Sequence, residues 1–241
     1  ISWDDTANVN YATVGFGGSN GTLALDPTNS SNNVLEIIKG TGAQTWAGVT
    51  LSTTNGLAST IPFSSNANNI SVKVYSPASG LTVRLKTEVV GSSSVSVETD
   101  ATTTVANGWE TLVFDFTNNV TSTPAINYAN SYNMLSVFFD FGNVGANDTF
   151  YVDSVYFGPF CTPFTVPYFE GFESGFADQS AVGGTCLTQE SVTGTQVWTA
   201  NNTLTTYNRS PRTGSWNSYL RYGNEDWMFI PIDLVANTTY N

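Results

Sequence analysis

The sequence lacks histidine altogether and contains only two cysteines, two methionines and few positive charges. The absence of histidine excludes Ser-His-Asp and Cys-His hydrolases, most catalytic zinc sites and histidine-based pH switches. Only 7 Lys and Arg stand against 19 Asp and Glu, a net charge of −12, which argues against nucleic acid and anionic membrane surfaces as partners. No apolar run approaches the roughly 20 residues that span a bilayer, so we expect no direct membrane insertion.

What the chain does contain is typical of a folded extracellular β-protein. Hydrophobic residues make up 40% and aromatic residues 13% of the 241 residues, which excludes global disorder. Only 11% are charged, and Asn, Thr, Ser and Gly provide most of the polar surface. The sequence opens at Ile1 without a signal peptide, so we expect either a cytosolic chain or a mature chain whose leader has been removed.

Apolar and polar residues alternate along most of the first two thirds of the chain, and helical spacing is nearly absent. Turn signals such as Asn107-Gly108 separate the alternating runs. Several short strands without intervening helices predict an all-β fold, an antiparallel jelly-roll β-sandwich. The runs that carry this pattern are 35–38, 72–75, 83–88, 112–116, 135–141 and 149–157.

A domain boundary is predicted after Pro159, where a long strand ends and a Pro/Thr-rich connection begins. Residues 1–159 then form a complete sandwich, and residues 160–241 form a second, smaller β-sandwich domain that we expect to be incomplete. Both cysteines, Cys161 and Cys186, lie in this second segment. A disulfide between them would close a loop of about 25 residues and stabilise the fold by roughly 3 kcal/mol. The alternative is two buried free thiols.

Motifs in 1–159 carry a resemblance to a known domain type. They are 44–48, 72–77, 98–104, 108–110, 114–116, 138–142 and 151–155. With them the segment resembles the carbohydrate-binding-module-like, galactose-binding-type β-sandwiches of secreted Bacteroidetes proteins. The resemblance implies a non-catalytic module of the kind attached to glycoside hydrolases, notably β-1,3-glucan-degrading ones, or to surface adhesins.

The second segment carries a different resemblance. Its motifs 167–174 and 225–234 resemble the front part of a MAM-like, cleaved-adhesin (choice-of-anchor J) domain. This implies a secreted or cell-surface protein. The carboxylates of Glu170, Glu173 and Asp226 could build a cation site in this segment.

Candidate ligand-binding residues follow from the alternation, which turns polar and aromatic side chains away from the core. Trp46 stands opposite in parity to Val49 and Leu51, so we expect its ring to face solvent as a platform for sugar. The alternatives are a solvated sheet face with mutually compensating charges, and a Trp46 that plugs one end of the sandwich. Trp109 is interpreted as structural packing. The further candidates are expected on matching outward faces of their strands, as one sheet face, and are Lys73, Tyr75, Arg84, Lys86, Glu88, Phe138 and Asp140.

A structural calcium ion is implied by the resemblance, because in such sandwiches the first and last strands run side by side and hold one. Ca²⁺ takes six to eight hard oxygen ligands. The implied ligands are Asp4 and Asp153, with Asp5 and Glu36 in support. The alternative is that these are ordinary turn and edge carboxylates.

A glycosidase would need a pair of carboxyl groups at a defined separation. Glu98 and Asp100 share one strand face, but the Glu-x-Asp-x-x-Glu pattern of sandwich-fold glucanases is absent. We therefore expect a non-catalytic chain that binds a polysaccharide or surface glycan within a secreted or cell-surface multidomain protein. The alternative is a structural spacer of a large surface adhesin or filament, in contact with neighbouring copies or domains.

Overall fold

The computed structural model describes residues 1–65, 67–158, 164–167, 173, 176–182, 187–203, 210–211, 213–233 and 239. These residues form strands, turns and loops and no helix, so none of them belongs to a helix able to cross a membrane. The chain divides into two compact units, Ile1–Pro159 and Phe160–Asn241, at the position where the sequence places a boundary.

Unit 1 (Ile1–Pro159) contains two five-stranded antiparallel sheets. Its strands are β1 (Val14–Phe16), β2 (Ser19–Asp26), β3 (Asn29–Lys39), β4 (Gly48–Thr50), β5 (Asn69–Ser76), β6 (Thr82–Val89), β7 (Ser92–Thr102), β8 (Gly108–Asp115), β9 (Met134–Phe138) and β10 (Asp148–Phe157). Sheet A has the order β1-β4-β9-β6-β7, and sheet B has the order β2-β3-β10-β5-β8. This all-β, antiparallel sandwich confirms the predicted fold class.

The core lies between the two sheets and is built from the apolar half of each alternating run. Val72 and Val74 of β5 and Val83 and Leu85 of β6 are fully buried. Phe139, which follows β9 in sheet A, stacks on Phe150 of sheet B with ring centroids 4.5 Å apart. Burial of side chains of this size removes enough apolar surface from water to hold the sheets together.

The first residues of the chain lie beside the last strand of unit 1, as the resemblance implies. The Ile1 ammonium donates to the Val155 carbonyl at 2.7 Å, and the Val155 N–H donates back to Ile1 at 2.8 Å. The buried Trp3 indole donates to the Asp153 carbonyl at 2.7 Å. A bulge between Val152 and Val155 interrupts the alternation of β10. Asp153 therefore does not share a face with Val155: Val155 joins the core, while the Asp153 carboxylate pairs with Lys73.

The described part of unit 2 (Phe160–Asn241) forms three two-stranded sheets. Two of the residues predicted for a cation site in this unit are described. Glu173 accepts a hydrogen bond from the Ser215 N–H, and Asp226 accepts one from the Trp198 N–H. Cys161, Cys186 and Glu170 lie outside the described residues, so the disulfide stays a prediction. The strands are β11 (Phe164–Thr165), β12 (Thr188–Thr193), β13 (Thr199–Asn201), β14 (Asn217–Tyr219), β15 (Glu225–Phe229) and β16 (Ile232–Asp233), paired as β11-β16, β12-β15 and β13-β14.

Candidate functional site

The predicted ligand-binding residues divide between the two sheets. Lys73 and Tyr75 lie on β5 of sheet B, whereas Arg84 and Lys86 lie on β6 of sheet A. The expectation that both strands contribute to one face is wrong, because the turn between them carries the chain from one sheet to the other. Alternation tells which side chains point outward, but not which sheet holds the strand.

The outer face of sheet A collects the larger share of the candidates. Cross-strand partners place Phe16 opposite Gly48, and Arg84 opposite both Phe138 and Asp100. A row of side chains thus runs across the strands rather than along one of them. We call this surface the sheet A face and define it by Phe16, Trp46, Gly48, Arg84, Lys86, Glu88, Glu98, Asp100, Phe138 and Phe141.

Trp46 is the exposed aromatic residue of the sheet A face. Its side chain is 51% exposed, so it does not plug the sandwich. The indole lies nearly parallel to the Phe16 ring, at 15° with centroids 6.4 Å apart. Phe16 in turn meets the edge of Phe138, which is only 7% exposed and so supports the platform rather than forming its surface. This backing fixes the orientation of the Trp46 ring.

Gly48 lies beneath these rings and leaves room for them. A Cβ at this position would lie 2.8 Å from Phe16 Cζ and 2.9 Å from Phe138 Cδ1. Both separations are shorter than van der Waals contact, so only glycine at position 48 lets the two phenylalanine rings pack over β4.

The charged side chains of the sheet A face neutralise one another. Arg84 donates to both carboxylate oxygens of Asp100, at 2.7 and 2.8 Å, and to Glu98 at 3.1 Å. Hydrogen bonding to Asp100 is the main cause that raises the Arg84 pKa.

Two further contacts hold the charged groups of this face. The Arg84 guanidinium lies 3.8 Å from the Phe141 ring centroid, and Lys86 pairs with Glu88 at 2.5 Å. Since Arg84 binds both Glu98 and Asp100, these carboxylates are anchors for a guanidinium rather than a free acid–base pair.

Asp140, another predicted ligand, belongs to the turn after β9. Its φ of 48° is left-handed, and its carboxylate accepts a hydrogen bond from Asn143 at 2.7 Å. The buried Lys39 ammonium donates to the carbonyls of Phe139 and Asp140, at 3.2 and 2.8 Å. Burial lowers the Lys39 pKa, and the nearby Asp140 and Asp148 carboxylates oppose this. Asp140 therefore shapes the turn that presents Phe141.

The outer face of sheet B carries a second aromatic group around Tyr75. Tyr75 contacts Trp109 and Tyr151 edge to face, with centroids 5.6 and 5.8 Å away. The Trp109 indole donates to Asp26 Oδ1 at 3.1 Å. Burial alone would raise the Asp26 pKa, but hydrogen bonds from Thr28, Asn32 and Trp109 prevail and lower it to about 2. Trp109 thus packs on the outside of the sandwich and not in its core.

The predicted calcium ligands contact other residues in the structure. The Asp153 carboxylate binds the Lys73 ammonium at 2.8 Å, and Asp5 accepts a hydrogen bond from Asn8. Glu36 is the cross-strand partner of Tyr151, whose pKa is raised first by burial and then by the Glu36 charge. Among the residues that the structure describes, including Asp4 and the other three candidates, no group of three or more acidic side chains is placed to hold a metal. The calcium site therefore stays a prediction.

Sequence reasoning missed Phe16, Phe141 and Tyr151. Phe16 stands next to Gly17-Gly18 with no pattern that links it to Trp46, 30 positions later. Sequence reasoning also did not predict a cleft of about 1060 Å³ between segments 1–11, 51–62 and 154–157. This cleft includes none of the charged residues of the sheet A face.

No family model and no curated protein matches the chain. Among solved structures it is similar to the family 11 carbohydrate-binding module from Clostridium thermocellum in complex with a β-1,3-1,4-mixed-linked tetrasaccharide, at 16% identity and a TM-score of 0.41, over 63% of this chain and 91% of that chain. It is similar to the CBM22-1 xylan-binding domain from Paenibacillus barcinonensis at 13% identity and a TM-score of 0.40, over 64% and 88% of the two chains. An arabinose-bound α-L-arabinofuranosidase matches at 15% identity and a TM-score of 0.41, over 70% of this chain and 29% of that chain. None of these likenesses assigns a residue of this chain to a ligand.

Proposed function

We propose that unit 1 is a non-catalytic carbohydrate-binding module whose glycan lies across the sheet A face. The observation that carries the proposal is the Trp46 indole, half exposed and held parallel to Phe16. A flat, exposed ring of fixed orientation offers apolar area to the C–H face of a pyranose without losing side-chain freedom on binding. Gly48 lets the Phe16 and Phe138 rings pack over β4, and these rings support the Trp46 platform.

The polar groups of the sheet A face can orient a bound sugar through directional hydrogen bonds. The Asp100 side chain is 34% exposed while both its oxygens accept from Arg84. Each carboxylate oxygen keeps a further lone pair that can accept a hydrogen bond from a sugar hydroxyl. Because Arg84 already holds the Asp100 carboxylate in one orientation, little side-chain conformational entropy is lost when a ligand binds.

The ligand we propose first is a β-glucan, since the resemblance of 1–159 is to modules attached to β-1,3-glucan-degrading enzymes. The host would be a secreted or cell-surface multidomain protein, with unit 2 as a MAM-like adhesin domain. An open face orders few ligand atoms, so one module binds weakly, and neighbouring modules or catalytic domains raise the overall avidity.

The second candidate function is a spacer within a surface adhesin or filament, in contact with neighbouring copies or domains. The observation that favours it is the mutual pairing of Arg84 with Asp100 and of Lys86 with Glu88. A solvated face of an antiparallel sheet shows the same compensation of charge.

A glycan array probed with the labelled chain separates the two functions. The module predicts signals on neutral β-glucans that Trp46→Ala removes, with a melting temperature within a few degrees of wild type because the side chain is half exposed. A chain that binds no glycan on the array, or whose signals are the same with Trp46→Ala, would favour the spacer.

A further inference from the structure

The outer face of sheet B carries a row of three aromatic side chains that the sheet A face does not account for. Trp109, Tyr75 and Tyr151 lie on the adjacent strands β8, β5 and β10 as direct cross-strand partners. All three are half-buried, so each keeps an exposed part. We call these three residues the sheet B row. Aromatic rings on an outward face leave apolar area in water, and their alignment in one row makes that area continuous.

Charged neighbours hold the sheet B row in place. The Lys73 ammonium lies 5.0 Å from the Trp109 ring centroid and is itself paired with Asp153. Asp26 accepts from the Trp109 indole at one end of the row, and Glu36 is the cross-strand partner of Tyr151 at the other. The rings are thus presented in fixed orientations between carboxylates and one ammonium group, which suits a ligand with both apolar and hydroxyl surfaces.

Other occupants fit this surface less well. A second copy of the chain brings another −12 of charge and is repelled. Strand addition by a peptide would use the backbone edge of β8, an outermost strand of sheet B, and not the outer face on which the three rings lie. Around the row Asp26, Glu36 and Asp153 face a single ammonium group, so an acidic polymer is disfavoured. A neutral, polyhydroxylated chain is the ligand whose chemistry matches.

We propose that the sheet B row is a second glycan-binding site, so that unit 1 binds one neutral polysaccharide chain on each outer face and bridges the two. The choice of a glycan as ligand rests on the proposed function, but the site is formed by different residues. The two faces point in opposite directions because the inner sides of both sheets form the shared core.

Indole N–H signals in a nitrogen-15 correlation spectrum test each face separately, with a mixed-linkage β-1,3-1,4-glucan tetrasaccharide as the probe. We expect the Trp46 and Trp109 signals to shift on titration, while the Trp3 signal, from a side chain 1% exposed, stays in place. In Trp46→Ala the Trp109 signal should still shift, with a dissociation constant within about threefold of wild type, a difference of about 0.7 kcal/mol.

The outcomes distinguish the two proposals. A Trp109 signal that stays in place while Trp46 saturates overturns the second site and leaves the proposed function standing. A Trp109 shift that disappears in Trp46→Ala also overturns it, because the faces would then not bind independently. If neither signal moves, both proposals fail.

Bridging is measured by light scattering of polymeric mixed-linkage β-glucan mixed with the chain. Wild type should raise the scattering, whereas Tyr75→Ala should lower it to the level of Trp46→Ala. The matched control is Tyr222→Ala, which removes a fully exposed tyrosine from unit 2. Equal scattering for Tyr75→Ala and wild type would overturn the proposal, and the wild-type spectra above still decide the matter if Tyr75→Ala does not fold.

Discussion

Replacement of Asp26 by Asn tests whether the hydrogen bonds around Trp109 stabilise the sandwich. The Asp26 carboxylate accepts from the Thr28 N–H at 2.7 Å, the Thr28 hydroxyl at 2.8 Å and the Trp109 indole at 3.1 Å through one oxygen, and from Asn32 at 3.1 Å through the other. These bonds lower its pKa from 3.8 to about 2. The difference corresponds to about 2 kcal/mol of stability that depends on the ionised carboxylate.

The direction of the Asp26 pKa shift determines how the free energy of unfolding changes with pH. Because the folded pKa of Asp26 is below the unfolded one, this stability is fully present above about pH 4 and is lost as the pH falls through about 2. Urea unfolding, followed by tryptophan emission, should show Asp26→Asn about 2 kcal/mol less stable than wild type at pH 7, with the gap closing towards pH 2. Asp4→Asn removes an exposed carboxylate with one long contact of 3.4 Å and serves as the control; it should change stability by less than about 0.5 kcal/mol. A constant gap between Asp26→Asn and wild type from pH 7 to pH 2 would show that the ionised Asp26 carboxylate does not stabilise the fold.

Three further predictions concern the sheet A face and the metal. Gly48→Ala should destabilise the chain by about 1–3 kcal/mol, since its Cβ would meet Val137 O at 2.7 Å as well as two phenylalanine rings; an unchanged urea midpoint would contradict this. Arg84→Lys should weaken glycan retention and lower the melting temperature, because an ammonium cannot make the two-point contact with Asp100; retention equal to wild type would contradict a role for that pair. If calcium binds, EDTA should lower the melting temperature and added Ca²⁺ should restore it; a melt that is indifferent to chelator removes the metal.

The sequence was enough to predict the fold class, because alternating runs coincide with six of the ten strands of unit 1. The expected exposure of Trp46 also holds, but Trp46 lies in the turn before β4 and not on the strand from which its parity was counted. The sequence could not assign β5 and β6 to different sheets, because alternation is a local property and sheet membership depends on the connection between strands.

The bulge in β10 marks a second limit of sequence reasoning. One extra residue between Val152 and Val155 turns each later side chain of β10 to the face opposite the one that simple alternation predicts. No residue type in this stretch indicates a bulge. The partners of Trp46 and Trp109, namely Phe16 and Asp26, are likewise distant in sequence and adjacent only through strand pairing.

Two tryptophan variants compared on an insoluble β-glucan column test whether the sheet A face binds glycan through Trp46. Trp46 of unit 1 is 51% exposed and Trp227 of unit 2 is 57% exposed, so the two Ala variants remove the same side chain from similarly exposed positions. Trp46→Ala should elute much earlier than wild type, with affinity at least about tenfold lower, or about 1.4 kcal/mol, while Trp227→Ala should elute with wild type. Co-elution of Trp46→Ala with wild type, or an equal loss in both variants, would show that the sheet A face does not bind the glucan through Trp46.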